Sequence, residues 1–233
     1  MKRSCASAVL FLAATLDVAA VCSVPQPRLV CAEYFNSQAV VTATLVAKKH
    51  VVPKDKMDWF VYTLQTKTVL RGTTPASFPI YEENSSGRAT FGWKVGTTYL
   101  LFLWYSKEGG AWELDGCGNS APLKQAAATL KQIQHIRTVH GGSIRGVTST
   151  PALSEPLPGV MVVARGSNGK FTTTTNPAGE FMIHLPAGQY TVRAIRLGWS
   201  FEPDDFTYED PAKIRIQNGG CAQVQLTGRK TRE

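Results

Sequence analysis

The chain has 233 residues, 43% of them hydrophobic and 18% charged, with a formal net charge of +8. That balance is ordinary for a packed globular protein and excludes a disordered chain, and the length suits two domains. No run of five or more like charges occurs, and no segment approaches the roughly 20 apolar residues of a membrane-spanning helix.

The first segment has a basic start, Lys2-Arg3, an apolar run from Ala6 to Leu16, and small residues Val18-Ala19-Ala20 ahead of Val21. This is the pattern of a secretory signal peptide over residues 1–20, with Val18 and Ala20 at the two recognised positions. A lipid-anchoring cut before Cys22 is the alternative, with Val21 where a smaller residue is usual. Cleavage after Ala20 removes Lys2, Arg3 and Asp17, so the formal charge falls from +8 to +7. The mature chain is expected to be exported, whether secreted or held in the periplasm or at the cell surface, with no transmembrane segment. Of five cysteines, Cys5 leaves with the signal, while Cys22, Cys31, Cys117 and Cys221 remain in an oxidising compartment. Two disulfides are expected, and spacing does not choose among the three pairings that four cysteines allow.

Residues 38–115 are rich in strands: AVVTATLVAKKHVV, DWFVYTLQTKTVLRG, SFPIYEE, TTYLLFLWYS and AWELDG, with turns suited to a closed or rolled β structure. The imperfect alternation from Tyr99 to Trp104 indicates a strand covered on both faces. A helix is predicted over 122–139, capped by Asn119 or Ser120, tolerating Pro122 in its first turn, and repeating Leu123, Ala127, Leu130, Ile133 or Gln134, and Ile136 at helical spacing. It should pack on the barrel. Gly141-Gly142 then ends it. Two domains follow, at 21–140 and 141–228, with a basic tail at 229–233.

In the second domain Val160, Val162 and Ala164, then Phe181, Ile183 and Leu185, then Tyr190, Val192 and Ala194 recur at every second residue, which puts three side chains per strand on one face. Asn176-Pro177-Ala178-Gly179 and Leu185-Pro186-Ala187-Gly188 supply the reversals. The fold class expected from these patterns is mostly β: a closed or rolled N-terminal barrel with one terminal helix, followed by a small β-sandwich.

Two family resemblances go with these motifs. PLPGV, TTTNPAGEF and LPAGQYTVRAIRLG, in this order within 142–228, resemble the carboxypeptidase regulatory-like domain, which implies a prealbumin-like seven-stranded β-sandwich related to the Cna-type B modules of bacterial surface proteins. The resemblance implies a supporting or binding module with no catalytic residue. Some Cna-type modules carry a Lys–Asn isopeptide bond; residues 143–148 hold no lysine and 221–227 no asparagine, so none is expected here. Over residues 22–139, Cys22-Ser23-Val24-Pro25, CAEYFNSQAVV from Cys31, TVLRG, GWKVGTTYLLFLW and LDGCGNSAPLKQAAATLKQI together resemble the netrin-like fold of the tissue inhibitors of metalloproteinases, which implies an N-terminal OB-type barrel with one terminal helix.

In that family the first cysteine of a Cys-x-Cys start chelates the protease zinc and is tied to a cysteine in a later strand-end motif. Here Cys22 stands alone, and the strand-end motif reads Ala89-Thr90-Phe91-Gly92-Trp93. The resemblance matches Cys22 to the family's second cysteine and implies a Cys22–Cys117 bond. Cys31 and Cys221 are left, and a bond between them would join the two domains, with two free buried thiols or pairing across chains as the alternatives. It also implies a ridge, Val21, Cys22, Ser23, Val24 and Pro25, whose inhibitory use requires a chain that begins at Cys22.

Signs of catalysis are sparse. His135 and His140 are five apart and do not share a helix face, His50 and His184 stand apart from them, and HExxH, GxSxG and phosphate-binding glycine loops do not occur. No cofactor and no metal are expected. Glu202, Asp204, Asp205, Glu209 and Asp210 read as a solvated loop, with calcium binding the alternative; Asn84-Ser85-Ser86 fits a glycosylation acceptor. The chain is therefore expected to be a non-enzymatic binding protein with a protein or polysaccharide partner outside the cytoplasm, and no nucleic-acid partner. Inhibition of metalloproteinases and carbohydrate binding are the alternatives. Candidate binding residues are Trp93, Trp104, Trp112, Trp199 and Phe201, whose rings could stack on sugars if exposed.

Overall fold

The computed structural model describes residues 28–52, 58–83, 92–151, 155–205 and 207–231. It is mostly β, and the strands fall into one closed sheet and two open ones.

The closed sheet contains β1 (Ala39–Val51), β2 (Trp59–Arg71), β3 (Ser77–Glu83), β4 (Thr98–Ser106), β5 (Ala111–Glu113) and the two-residue β6 (Ala121–Pro122). Its order is β1-β2-β3-β5-β4-β6, and β1 also pairs with β4, which closes a five-stranded barrel of OB type. Register shifts at Val40/Val41, Thr42/Ala43 and Leu45/Ala47 bend β1 so that one long strand pairs with both β2 and β4. Every second residue points inward, and Val41, Leu45, Leu64, Phe78, Tyr99, Leu101 and Leu103 fill the interior.

The imperfect alternation of β4 has a direct cause. Its inward residues Tyr99, Leu101 and Leu103 fill the barrel, while Leu100 and Phe102 point outward into a second apolar layer with Val30, Tyr34, Ala126, Ile133 and Ile136. Burying a side chain of this kind contributes about 1.5–3 kcal/mol relative to leaving it in water. Two helices supply that layer: α1 (Val30–Asn36) and α2 (Ala127–Ile136).

The α2 helix is shorter than the sequence predicts at its N-terminal end. Ala121 and Pro122 pair with Leu100 and Tyr99 as β6, and the Leu123 N–H donates to Thr98 O at 2.9 Å, so the backbone there is committed to the sheet. Neither predicted cap serves the helix. Ser120 Oγ accepts from the Phe102 N–H at 3.0 Å, and Asn119 bonds to Glu33; the N-cap is Ala126, with no side-chain bond.

From residue 142 onward all strands belong to the sandwich. They are β7 (Gly142–Ser149), β8 (Met161–Gly166), β9 (Gly169–Thr174), β10 (Glu180–Leu185), β11 (Gly188–Ile195), β12 (Trp199–Pro203), β13 (Ile214–Ile216) and β14 (Cys221–Lys230). One sheet runs β10-β7-β14-β12 and the other β13-β11-β8-β9. The count is eight where seven are expected, because three-residue β13 pairs with the first half of β11. Val162, Ala164, Phe181, Ile183, Leu185, Tyr190 and Val192 face one another between the sheets, with Ala194 packed at the margin, as the alternation requires. Asn176 shapes its turn by accepting from the Ala178 and Glu180 N–H groups through Oδ1.

Barrel and sandwich are joined covalently by Cys31–Cys221, Cα–Cα 5.3 Å, which ties α1 to the first residue of β14. Polar bonds surround it. The Leu29 N–H donates to Gln223 Oε1 at 2.6 Å, and Asn36 Nδ2 to Glu209 Oε1 at 2.8 Å. Among the described residues no helix is long and apolar enough to cross a membrane.

Two outcomes follow for stability. Replacing Cys31 and Cys221 together by serine should lower the unfolding free energy by about 2–5 kcal/mol, because the bond spans 190 residues of chain. Urea titration of both proteins without reductant reads that difference. Where β7 runs parallel to β14, a Cβ on Gly146 would lie 1.9 Å from Val224 O. Gly146→Ala must therefore spread a central strand pair, and a loss of about 1–3 kcal/mol is expected in the same titration.

Candidate binding cleft on the barrel

The barrel is closed unevenly. The β2 and β3 strands pair along seven residues, whereas β3 and β5 meet at one pair, Ile80 and Trp112. The strands part beyond that pair, and a cleft of about 750 Å³ opens there, reaching to the 114–117 segment after β5. Its apolar walls are Val51, Trp59 and Val61 from β1 and β2, Tyr81 from β3, Trp112 from β5, and Leu114. A partly apolar concavity of this size with a few polar groups is the usual form of a ligand site.

Aromatic packing fixes the floor. Trp93 is 8% exposed, stacked on Tyr62 with centroids 4.8 Å apart and planes at 24°, and leaning on Tyr99 at 4.7 Å. The Lys94 N–H donates to Tyr99 Oη at 2.7 Å and holds this strap in place. Trp112 is half-buried, set edge-on to Tyr105 at 5.5 Å and tilted against Phe78 at 6.1 Å. The charged side chains of the walls are Glu82, Glu83 and Glu113. Tyr62 Oη donates to Glu82 Oε2 and Trp104 Nε1 to Glu113 Oε2, both at 3.0 Å.

The five aromatic candidates from the sequence therefore part company. Trp93 and Trp112 share the cleft, Trp104 lies beside it as the donor to Glu113, and Trp199 and Phe201 are on β12 of the sandwich. Those last two are half-buried and stacked, centroids 6.4 Å apart and planes at 24°, with the Arg196 guanidinium 5.0 Å and the Lys230 ammonium 5.8 Å from the Trp199 ring. Trp59 and Tyr81 were missed as wall residues. Each stands on the outward side of its strand, where alternation marks a solvent face and gives no sign of concavity.

Cys117 is disulfide-bonded and lines the cleft; the Cys22 end of the expected bond lies outside the described residues, as do the rest of the ridge, Val21, Ser23, Val24 and Pro25, and the glycosylation acceptor Asn84. His50 Nε2 is 3.0 Å from Asp58 Oδ2 and its ring stacks on Phe60, while His135, His140 and His184 are exposed and separate. In the acidic loop, Asp204 accepts from Thr227 Oγ1 at 2.5 Å, Glu209 accepts from Asn36 and from the Gln223 N–H, and Asp210 accepts from the Ala212 N–H. Those carboxylates serve the loop's own backbone and neighbours. Among the described residues no group of three or more His, Cys, Asp or Glu side chains is placed to hold a metal.

A buried carboxylate positions the far wall of the cleft. Glu33 of α1 is 1% exposed; its Oε2 accepts from the Asn119 N–H and from Asn119 Nδ2, both at 2.7 Å, while Oε1 has no partner among the described residues. Asn119 also donates to Arg28 O at 2.9 Å, Arg28 pairs with Asp115 at 3.0 Å, and Asp115 accepts from the Cys117 N–H at 2.8 Å. A Cβ on Gly118 would lie 2.1 Å from Glu33 Oε1, so any larger residue there has to displace the carboxylate. This network fixes the segment from Leu114 to Cys117 that bounds the cleft.

Burial raises the Glu33 carboxyl above its ordinary value of 4.5, against the two Asn119 bonds that favour the charged form. A raised acid holds its proton more tightly in the fold than in the unfolded chain. Its contribution is thus complete below the ordinary glutamate value and is lost as pH rises through the higher folded one. Glu33→Gln keeps the acceptor at Oε2 and cannot ionise. The stability of the native protein minus that of Glu33→Gln should therefore fall as pH rises above 4.5, measured by urea unfolding at a series of pH values.

No protein-family model matches the chain, and no curated protein matches it. Among solved structures it is similar to the Bacillus anthracis TIE protein, at 15% identity and a TM-score of 0.31, over 83% of this chain and 30% of that one. The chain thus spans under a third of that protein's length.

Proposed function

We propose that this chain is an exported, non-enzymatic binding protein in which the barrel cleft takes the ligand and the sandwich is its rigid support. The observation that carries the reading is the seam between β3 and β5: a cleft of about 750 Å³ walled by Trp59, Tyr81 and Trp112 over a packed Trp93 floor. Its polar groups are carboxylates, two of them already accepting from Tyr62 and Trp104, which suits holding the walls and receiving donors from a ligand. The disulfide between Cys31 and Cys221 supports export, and it lets the sandwich brace the barrel. The ligand is a protein segment or a glycan outside the cytoplasm that offers an apolar or ring face to the tryptophans.

The test is a screen of the full exported chain against immobilised glycans and extracellular peptides, repeated with Trp112→Ala. Removing an aromatic anchor from the centre of a site costs about 2 kcal/mol or more, so a ligand found in the screen should bind the variant at least about tenfold more weakly. Unchanged binding would move the site elsewhere, and loss on Trp199→Ala instead would favour a sugar platform on the sandwich.

Metalloproteinase inhibition through Val21–Pro25 is a second reading. It is supported by the OB strand order followed by a helix, and by the bonded state of Cys117 beyond the last barrel strand. It requires a free α-amine on Cys22. Intact mass of the exported protein, followed by inhibition assays, tests it, and a chain beginning at Val21 removes the chelating group.

A further inference from the structure

The sandwich presents one face of a single sign. In the sheet β13-β11-β8-β9 the side chains that alternate with the core point to solvent, and they bring together Lys170 of β9, Arg165 of β8, Arg193 of β11, and Arg215 of β13 with Lys213 just before it. All five are exposed, and none of the four strands holds an aspartate or glutamate. Arg165 stands directly opposite Lys170, and Thr191 opposite Arg165 on its other side. Strands are about 4.8 Å apart and alternate residues about 6.7 Å, so these cations spread over four adjacent strands, three strand spacings from β9 to β13.

Like charges placed directly opposite one another destabilise a sheet. Neither the Arg28–Asp115 nor the His50–Asp58 ion pair involves this face. A groove of about 610 Å³ crosses it, lined by Arg165, Lys213 and Arg215 together with Gln189 and Thr191.

We infer that this face is a docking surface for a linear anionic polysaccharide carrying carboxylate or sulfate groups. Charge complementarity names the sign of the occupant, and the spread of cations over four strands favours an extended polymer over a small ion. The hydroxyl of Thr191 and the amide of Gln189, set between the cations, match sugar hydroxyls. Tyr190 also borders the groove, but it is only 3% exposed and belongs to the core, Phe171 packs against that core, and the outward positions of these four strands hold no aromatic residue on which nucleic-acid bases could stack. Met161 and Ile195, paired across β8 and β11 at one end of the face, do not line the groove. The site is separate from the barrel cleft and does not depend on the function proposed for it.

The experiment measures binding of the full chain to heparin and to alginate, with neutral dextran as control, over a range of salt concentrations. One variant combines Arg165→Ser, Lys170→Ser and Arg215→Ser; another combines Lys124→Ser, Lys131→Ser and Arg137→Ser, exposed cations near or on α2, and removes the same charge. Binding should weaken steeply with salt, fall at least tenfold in the first variant, and stay within about twofold in the second. As a reading independent of variants, heparin should protect Lys170 and Lys213 of the native chain from acetylation more than Lys124 and Lys131. Equal loss in both variants, or uniform protection, overturns the site. Tighter face-dependent binding to phosphatidylserine vesicles or single-stranded DNA than to either polysaccharide overturns the assignment of the ligand.

Discussion

A seven-residue helix, α1, is the piece on which the rest of this structure depends. Its side chains divide among three environments: Val30 and Tyr34 enter the apolar layer over β1 and β4, Cys31 is bonded to Cys221, and Glu33 is buried against Asn119. So short a helix is marginal in isolation, because each hydrogen-bonded turn has to offset the cost of nucleation. It persists because barrel and sandwich both use it. The Arg71 guanidinium donates to Ser37 O at its C-terminal end and lies 5.8 Å from the Tyr34 and Phe35 rings, which adds a third hold.

The same dependence explains where the sequence was readable. The sandwich strands are set by period-two alternation over short distances, and Val162 through Val192 fall inward as that pattern requires. The double burial of Tyr99 to Leu103 was legible for the same reason, as a run with too few polar residues for one wet face. By contrast α1 has Leu29 as N-cap with no side-chain bond and is too short to show a helical period. The α2 start was misplaced because Pro122, a good first-turn residue, is also acceptable at the edge of a sheet, and only the long-range pairing with Tyr99 decides between them.

The binding cleft was partly visible. Trp93 and Trp112 stand out by residue type, but the concavity around them comes from a defect in strand pairing, the lone Ile80–Trp112 contact, which no local pattern encodes. The basic face of the sandwich is a similar case. Its cations are scattered through the sequence from Arg165 to Arg215, and the sheet order gathers them on one side.

The sandwich begins with β7 and ends with β14, and these two strands lie side by side in parallel over seven residue pairs, from Cys221 opposite Ser143 to Thr227 opposite Ser149. Chain enters that pair at one end of the sheet and leaves at the other. Tension applied at the two ends of the module is then directed along the strands, and the bonds between them must shear together, whereas an antiparallel pair pulled from one end unzips one bond at a time. Because Cys221 is also cross-linked to α1, a pull on the C-terminal end is passed to the barrel through a covalent bond before that strand pair can separate at its Cys221 end.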